Sequence, residues 1–287
     1  MLTSPSLLKT WLWTTLLVSF VAETASFTSR SCRHRRQHKD TSCRRQAAST
    51  PFDFSSPREW DRFYQERKHK SGKDEFILPI EVEWHDSIPL QDIANAVPPQ
   101  STVLMVGCGT SRLPQVLLEQ NAPKRMVLLD TSQTCLDQLR EILPASSNTT
   151  TAIDYVCGDA TRLVDYFGAT TNGDKDDAIP MSFDAIIDKG LTDAILCSEG
   201  WDGPLARMLE QAATILRPET GQYLLISYQL PRTTQEFLVE VCSQVGLEWE
   251  FDVDLLSRSN GAMQDMGEET STKSRCMVSL ATRRSPA

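Results

Sequence analysis

The chain has 287 residues of ordinary globular composition, 40% hydrophobic and 23% charged, with a formal net charge of −9. That length suffices to bury a sizeable core, in one large domain or two small ones. Residues 1–50 hold eight of the 29 basic and two of the 38 acidic side chains, so the remainder carries 21 against 36, a net charge of −15; such a body repels phosphate backbones, which argues against nucleic acid as a substrate and favours a basic protein or a small molecule.

The first fifty residues differ from the rest. After Lys9 an apolar stretch runs from Trp11 to Ala22, too short for the roughly 20 residues of a membrane-spanning helix and suited to the core of a signal peptide. Residues 28–50 then contain Arg30, Arg33, Arg35, Arg36, Arg44 and Arg45 against the single acid Asp40, the bias of an organellar transit peptide. A signal peptide over 1–26 followed by a transit-like segment over 27–50, with Phe27 directly after Thr24-Ala25-Ser26, resembles the bipartite presequences that address proteins to plastids of secondary origin. A secreted or membrane-anchored protein with a basic stalk is the alternative; on the plastid reading, no stable membrane association is expected after processing.

Residues 51–100 read as amino-terminal helices and a lid, and 101–287 as the main domain. "REWDRFYQERK" (58–68) places Trp60, Phe63 and Tyr64 on one helical face, and Trp84 follows in "EVEWHD". From there, strands are expected at Val103–Val106, Met126–Leu129, Ile153–Val156, Phe183–Ile187 and Tyr223–Ser227. Helices are expected around Leu113–Glu119, Ser132–Leu143 and Leu205–Leu216, the last with Pro204 in its first turn and Pro218 past its end. Alternating strands and helices build a parallel sheet covered on both faces. A further helix from about Thr234, opened by the capping-box spacing Thr233 to Glu236, precedes the strands Leu247–Val253 and Cys276–Ala281. No helical pattern separates those two, so the last strand can enter the sheet antiparallel. "NGDKDD" (172–177) reads as a solvated insertion, and the polar stretch 257–275 as a loop.

The eight cysteines lie singly, with no CxxC pair and no His at ligand spacing, so no metal site is expected. Cys108, Cys157 and Cys276, in or beside strands, read as small buried thiols.

In an open α/β sheet, ligands bind beyond the carboxyl ends of the strands at the topological switch point. Four segments converge there: Gly107–Ser111, Asp130-Thr131, Gly158-Asp159-Ala160 and Asp188-Lys189-Gly190. Asp130, about 20 residues past the glycines, is placed to take both hydroxyls of a ribose. A dinucleotide fingerprint wants a third glycine at position 112, where this chain has Arg112, and Asp159 follows the third strand where it could accept from an adenine amino group.

The series "REWDRFY", "EVEW", "VLMVGCGTS", "LLDTS", "CGDATRL", "SFDAIIDKG" and "ILRPETGQYLLIS" resembles the class I S-adenosylmethionine-dependent methyltransferases, and more narrowly the family that includes the elongation-factor lysine methyltransferases. The resemblance implies a Rossmann-like, mostly parallel seven-stranded sheet with an antiparallel last strand, and S-adenosylmethionine as cofactor. It implies that Gly107 and Gly109 pass under the cofactor, Asp130 and Thr131 hold its ribose, and Asp159 and Ala160 border its adenine. Trp60, Tyr64 and Trp84 would enclose it, with Lys189 in the loop after the fourth strand. Three departures bear on substrate choice: Thr110 replaces the family's Asn, "DKGLTDA" (188–194) stands where the family has "DKGTLDA", and the interval between Tyr64 and Trp84 is longer than usual.

Methyl transfer to a lysine amine needs an in-line nucleophile and a carboxylate or aromatic face to receive the ammonium. Asp188 and Asp193 are the catalytic candidates. The expected activity is protein lysine N-methylation, with a translation elongation factor as one candidate partner. A small-molecule methyltransferase and a non-catalytic binding module of the same fold are the alternatives.

Overall fold

The computed structural model describes residues 52–70, 83–143, 151–168, 182–253 and 276–284. The expected presequence, the insertion at 172–177 and the polar loop 257–275 lie outside them.

In chain order the elements are α1 (Pro57–Lys70), α2 (Leu90–Asn95), β1 (Thr102–Val106), α3 (Leu113–Gln120), β2 (Arg125–Asp130), α4 (Gln133–Ile142) and β3 (Ala152–Cys157). After a 3-10 turn at Ala160–Arg162 come α5 (Leu163–Phe167), β4 (Ala185–Lys189), α6 (Leu191–Leu196), α7 (Asp202–Ile215), β5 (Gln222–Tyr228), α8 (Arg232–Gln244), β6 (Leu247–Glu250) and β7 (Cys276–Arg283). The seven strands form one sheet in the order β3-β2-β1-β4-β5-β7-β6. β1 to β5 pair in parallel. β7 is antiparallel to both of its neighbours, β5 and β6. The expected Rossmann-like sheet with an antiparallel last strand is therefore present, and that strand is inserted between β5 and β6.

Side chains alternate across a strand, and here both faces are apolar. Val103 and Met105 of β1 join Met126 and Leu128 of β2 in a core under α2, α3 and α4. Leu104 and Val106 join Val127 and Leu129 in the opposite core, covered by α5, α7 and α8. Two-sided burial of this kind explains the near-continuous apolar runs of the parallel strands. The edge strand β3 is only half-buried.

Several boundaries differ from expectation: β6 ends at Glu250 rather than Val253 and β7 runs on to Arg283, and two other shifts change the role of a side chain. The fourth strand occupies Ala185–Lys189 rather than Phe183–Ile187, and Phe183 instead forms an isolated bridge to Leu216. Asp188 and Lys189 consequently belong to the strand, and the turn begins at Gly190. Helix α8 starts at Arg232 after Pro231, with no side-chain cap. The expected capping box is not made, because Glu236 pairs with Arg232 at 3.0 Å instead.

Candidate functional site

The order of strands reverses between β1 and β4, and a cleft of about 310 Å³ opens at their carboxyl ends. All ten residues expected around the cofactor line it: Trp60, Tyr64, Trp84, Gly107, Gly109, Asp130, Thr131, Asp159, Ala160 and Lys189.

Its floor is the turn after β1. Gly107 and Gly109 have φ of 57° and 55°, the left-handed region that glycine enters without penalty. A β-carbon on Gly107 would meet Leu191 Cβ at 2.9 Å, and one on Gly109 would stand 3.2 Å from the Tyr64 hydroxyl. The glycines thus serve close approach within the protein as well as the open cleft above them. Ser111 Oγ donates to Glu83, 3.0 Å from either carboxylate oxygen, and the Arg112 N–H also donates to Glu83.

Asp130 ends β2 with only 6% of its surface exposed. Its Oδ2 accepts the Gly109 N–H at 3.0 Å and its Oδ1 the Ser132 N–H at 2.9 Å. The residue lines the cleft. Burial pushes this carboxyl up, against the pull of those two N–H groups, the Cys135 thiol and the Thr131 N–H. Beneath the turn, donor atoms of Cys108, Asp130 and Cys135 lie within 4.8 Å of one another. Burial raises both thiols, that of Cys135 far above its usual range, so they pack as protonated, nearly apolar groups.

The adenine-side wall follows β3. Asp159 Oδ1 accepts the Thr161 N–H at 2.8 Å, which sets the short 3-10 turn, while the Asp159 N–H donates to Tyr166 Oη at 3.2 Å. A β-carbon on Gly158 would meet the Tyr166 ring at 2.8 Å, so glycine lets that ring lie close against the turn.

Helix α1 is fastened to α4 on the amino-terminal side. Asp61 Oδ1 accepts from Ser132 Oγ at 2.7 Å and from the Thr134 N–H at 3.1 Å, and Gln138 Nε2 donates to the Tyr64 carbonyl at 3.1 Å. These bonds hold Trp60 and Tyr64 over the glycine turn, with ring centroids 6.5 Å apart, and Trp84 meets Trp60 edge-on at 6.3 Å. The Trp84 carbonyl accepts from Lys189 Nζ at 2.6 Å, and Lys189 also pairs with Glu83 at 2.8 Å. Glu83 therefore ties the lead-in segment, the glycine turn and the end of β4 into one assembly. Glu83 stands beside Trp84 in "EVEW", far from the glycine turn in sequence, so nothing local to it in the sequence assigns this role. Leu191, Ala194, Ile195, Ser198, Glu199, Pro204 and Arg207 complete the wall from α6, α7 and their connection.

The two catalytic candidates stand elsewhere. Asp188 is 0% exposed. Its Oδ1 accepts the Leu191 N–H at 2.9 Å, and its Oδ2 accepts Thr192 Oγ1 at 2.6 Å and Tyr223 Oη at 2.9 Å. Burial pushes it up to about 6, against the pull of those donors. Asp193 is 1% exposed and sits against His85, Nε2 to Oδ2 2.9 Å. Neither is among the residues lining the cleft; both close buried polar contacts of the fold. Cys157 also departs from expectation, being exposed, while Cys108 is buried and Cys276 partly buried.

No family model matches the chain. It is 26% identical over 209 residues to the mitochondrial citrate synthase-lysine N-methyltransferase of Danio rerio, covering 66% of this chain and 75% of that protein. It is 27% identical over 179 residues to the human eEF1A lysine and N-terminal methyltransferase, covering 61% of this chain but only 22% of that protein. Among solved structures, the N-methyltransferase NodS from Bradyrhizobium japonicum, in complex with S-adenosyl-L-homocysteine, aligns with a TM-score of 0.46 and 14% identity over 78% of this chain and 99% of that one. The likeness in sequence to lysine methyltransferases thus extends beyond the short motifs, over about two thirds of the chain.

Proposed function

We propose that this chain is an S-adenosylmethionine-dependent methyltransferase whose acceptor is a protein amine, a lysine side chain. The observation that carries the reading is the convergence of all ten expected cofactor residues on one cleft at the switch point of the sheet. The residues fit the cofactor's chemistry. A carboxylate lines the cleft where a ribose would lie, a second acid and a small Ala160 stand beside it, and aromatic rings offer faces to a sulfonium or an ammonium.

The cofactor, once bound, supplies a methyl group activated by a sulfonium. The chain's own residues hold and orient: Asp130 receives hydroxyl donors, Trp60 and Tyr64 exclude water from above, and Lys189 with Glu83 fixes the Trp84 backbone. Orientation of a nucleophile in line with a breaking bond contributes up to about 7 to 11 kcal/mol, so the reaction does not require a strong base. Since Asp188 and Asp193 are both occupied by internal partners, the lysine proton leaves to water or to a group on the acceptor in this reading.

The choice of a protein acceptor is supported by the charge of −15 over residues 51–287, which favours a basic partner and disfavours nucleic acid. Lysine is supported by the names of the matched relatives. A translation elongation factor is one candidate, and the presequence suggests a plastid as the place of encounter. Incubating the chain from residue 51 onward with labelled S-adenosylmethionine and an organellar extract, followed by mass-spectrometric mapping, tests the acceptor. Methyl groups on lysine support the proposal; label in nuclease-sensitive material or in small molecules alone refutes it. Residues 1–50 fused to a fluorescent reporter test the address: a plastid signal, impaired by Phe27→Ala, is expected, and secretion would overturn it.

A further inference from the structure

Four side chains outside the cleft meet beyond the ends of β4 and β5. His85 is 4% exposed and has a φ of 62°, a left-handed conformation that a non-glycine residue keeps only where its surroundings fix it. Its Nδ1 lies 3.4 Å from Cys276 Sγ, and its Nε2 lies 2.9 Å from Asp193 Oδ2, an ion-pair contact set off the line of a good hydrogen bond. The ring of Tyr228 packs on His85 edge-on, centroids 4.6 Å apart, and the Tyr228 N–H donates to Asp193 at 3.3 Å. Strand register places Tyr228 opposite Cys276, the first residue of β7, which is partly exposed.

We infer that Cys276 is a modification site, a reactive thiol whose thiolate is held by His85, with Asp193 as the group that orients the imidazole ring, and that its co-reactant is a hydroperoxide. The arrangement is a nucleophile, a cationic partner within reach and a third group fixing that partner. Asp193 holds one ring nitrogen, which leaves the other facing sulfur. Burial pulls the His85 pKa down, but its contacts with Asp193 and Cys276 outweigh that and raise it to about 9, so the ring is an imidazolium at neutral pH. A cationic neighbour and partial exposure together mark thiols that react.

The chemistry balances without a further reagent. The thiol proton leaves to water, which later returns a proton to His85; the thiolate, held by the His85 imidazolium, attacks one peroxide oxygen, the S–O bond forms and the O–O bond breaks. The departing alkoxide takes the proton from His85 and leaves as the alcohol. Sulfur is oxidised by two electrons to a sulfenic acid and the peroxide is reduced by two. This inference does not depend on the methyltransferase reading.

Cys157 is the internal comparator. It is the more exposed thiol, but burial of its sulfur and the charges of Asp130, Asp61 and Asp137 raise its pKa. Exposure alone therefore ranks Cys157 first, and the imidazolium contact ranks Cys276 first. The full chain is treated at pH 7 with hydrogen peroxide and a dimedone trap, and in parallel with iodoacetamide, and each cysteine is followed by peptide mass spectrometry. Cys276 is expected to react at least tenfold faster than Cys157, and His85→Gln to bring it to the rate of Cys157 or below. Equal or faster reaction at Cys157, or a Cys276 rate untouched by His85→Gln, overturns the inference. Should His85→Gln fail to fold, the ranking of the two thiols in the unmodified chain decides alone.

Discussion

Asp130 and Asp188 stand on the two strands that flank β1, at the same end of the sheet, and have different fates. Asp130 accepts a backbone N–H at each oxygen, lines the cleft and keeps 6% of its surface exposed. Asp188 lies one residue inside its strand, is fully buried, and accepts from two hydroxyls as well as the first N–H groups of α6. A displacement of one position along a strand separates a cleft-lining acid from a helix-capping one. Residue type and approximate place are the same, so the partners at hand determine the role.

The largest effect that would break this comparison is at Asp130. Asp130→Ala removes a charged acceptor from a ligand diol; hydrogen bonds to charged groups contribute about 1.5 to 3 kcal/mol each, so losing a pair costs roughly 3 to 5 kcal/mol, more than a hundredfold in affinity. The sequence alone suggests that folding survives this change. The structure amends that, because the buried Gly109 and Ser132 N–H groups lose their acceptor, a further cost of about 1 to 3 kcal/mol in stability. Calorimetric titration with S-adenosylmethionine and, separately, NAD, beside a urea melt, measures both. Affinity kept within a few-fold would mean the diol is held elsewhere, and tighter binding of NAD by the unmodified chain would overturn the proposed cofactor.

Asp188 offers the next largest effect, in pH dependence. Its folded pKa is about 6 against an ordinary value of 3.8, so between those values the folded state binds the proton more tightly than the unfolded chain. Stability from this group is therefore greatest below pH 4 and is lost as pH rises through 6, about 3 kcal/mol in all. Asp188→Asn does not titrate. The stability difference between wild type and variant, from urea melts at pH 4, 5, 6 and 7, should shrink by about that amount toward neutral pH. Ligand affinity of the folded variant should stay within threefold. A flat difference would mean that the capping donors offset the burial of this carboxyl in full, and a collapse of affinity would return Asp188 to the site.

Glu83→Gln sharpens the contrast from the cleft side. It removes the charge facing Lys189 Nζ and weakens the acceptor for Ser111 and Arg112, leaving the side chain's size unchanged. A loss of about 1 to 2 kcal/mol, or 5- to 30-fold in S-adenosylmethionine affinity, is expected. Because Lys189 is only 5% exposed, the effect should persist in high salt, unlike that of a surface pair. Titrations at two salt concentrations decide it.

The sheet was legible because two-sided burial leaves apolar runs, and the glycine turn because its glycines interrupt such a run. Positions set by tertiary partners were not. Nothing local to Phe183–Ile187 reveals that the strand is shifted by two residues to bring Asp188 inside, and Thr233 and Glu236 have capping-box spacing although Arg232 claims the glutamate. The short helices α2, α5 and α6 span six residues or fewer, too few for periodicity to register. All ten cofactor positions lie on the cleft, while both catalytic candidates were consumed by donors 4 to 108 residues away: Thr192 for Asp188, and His85 for Asp193.

The smallest expected effect is at Asp137, which isolates geometry from charge. It sits on α4 and pairs with Arg140 at 2.7 Å, with the two side chains 54% and 45% exposed. It also accepts from Gln133 at 2.8 Å. Exposed pairs at this spacing stabilise a helix by about 0.2 to 0.5 kcal/mol, so Asp137→Ala should change stability by less than about 0.5 kcal/mol and S-adenosylmethionine affinity by less than about twofold. The charge of Asp137 nevertheless contributes to the raised pKa of Cys157, the residue before the cleft-lining Gly158. If the summed negative charge there governed binding, removing Asp137 would alter affinity at low salt, and the change would fade as salt is added. If the carboxylate of Asp130 governs it, Asp137→Ala binds like wild type at every salt concentration. A tenfold change in the Asp137 variant would therefore assign the Asp130 effect to charge density and remove the geometric distinction between the two strand-end aspartates.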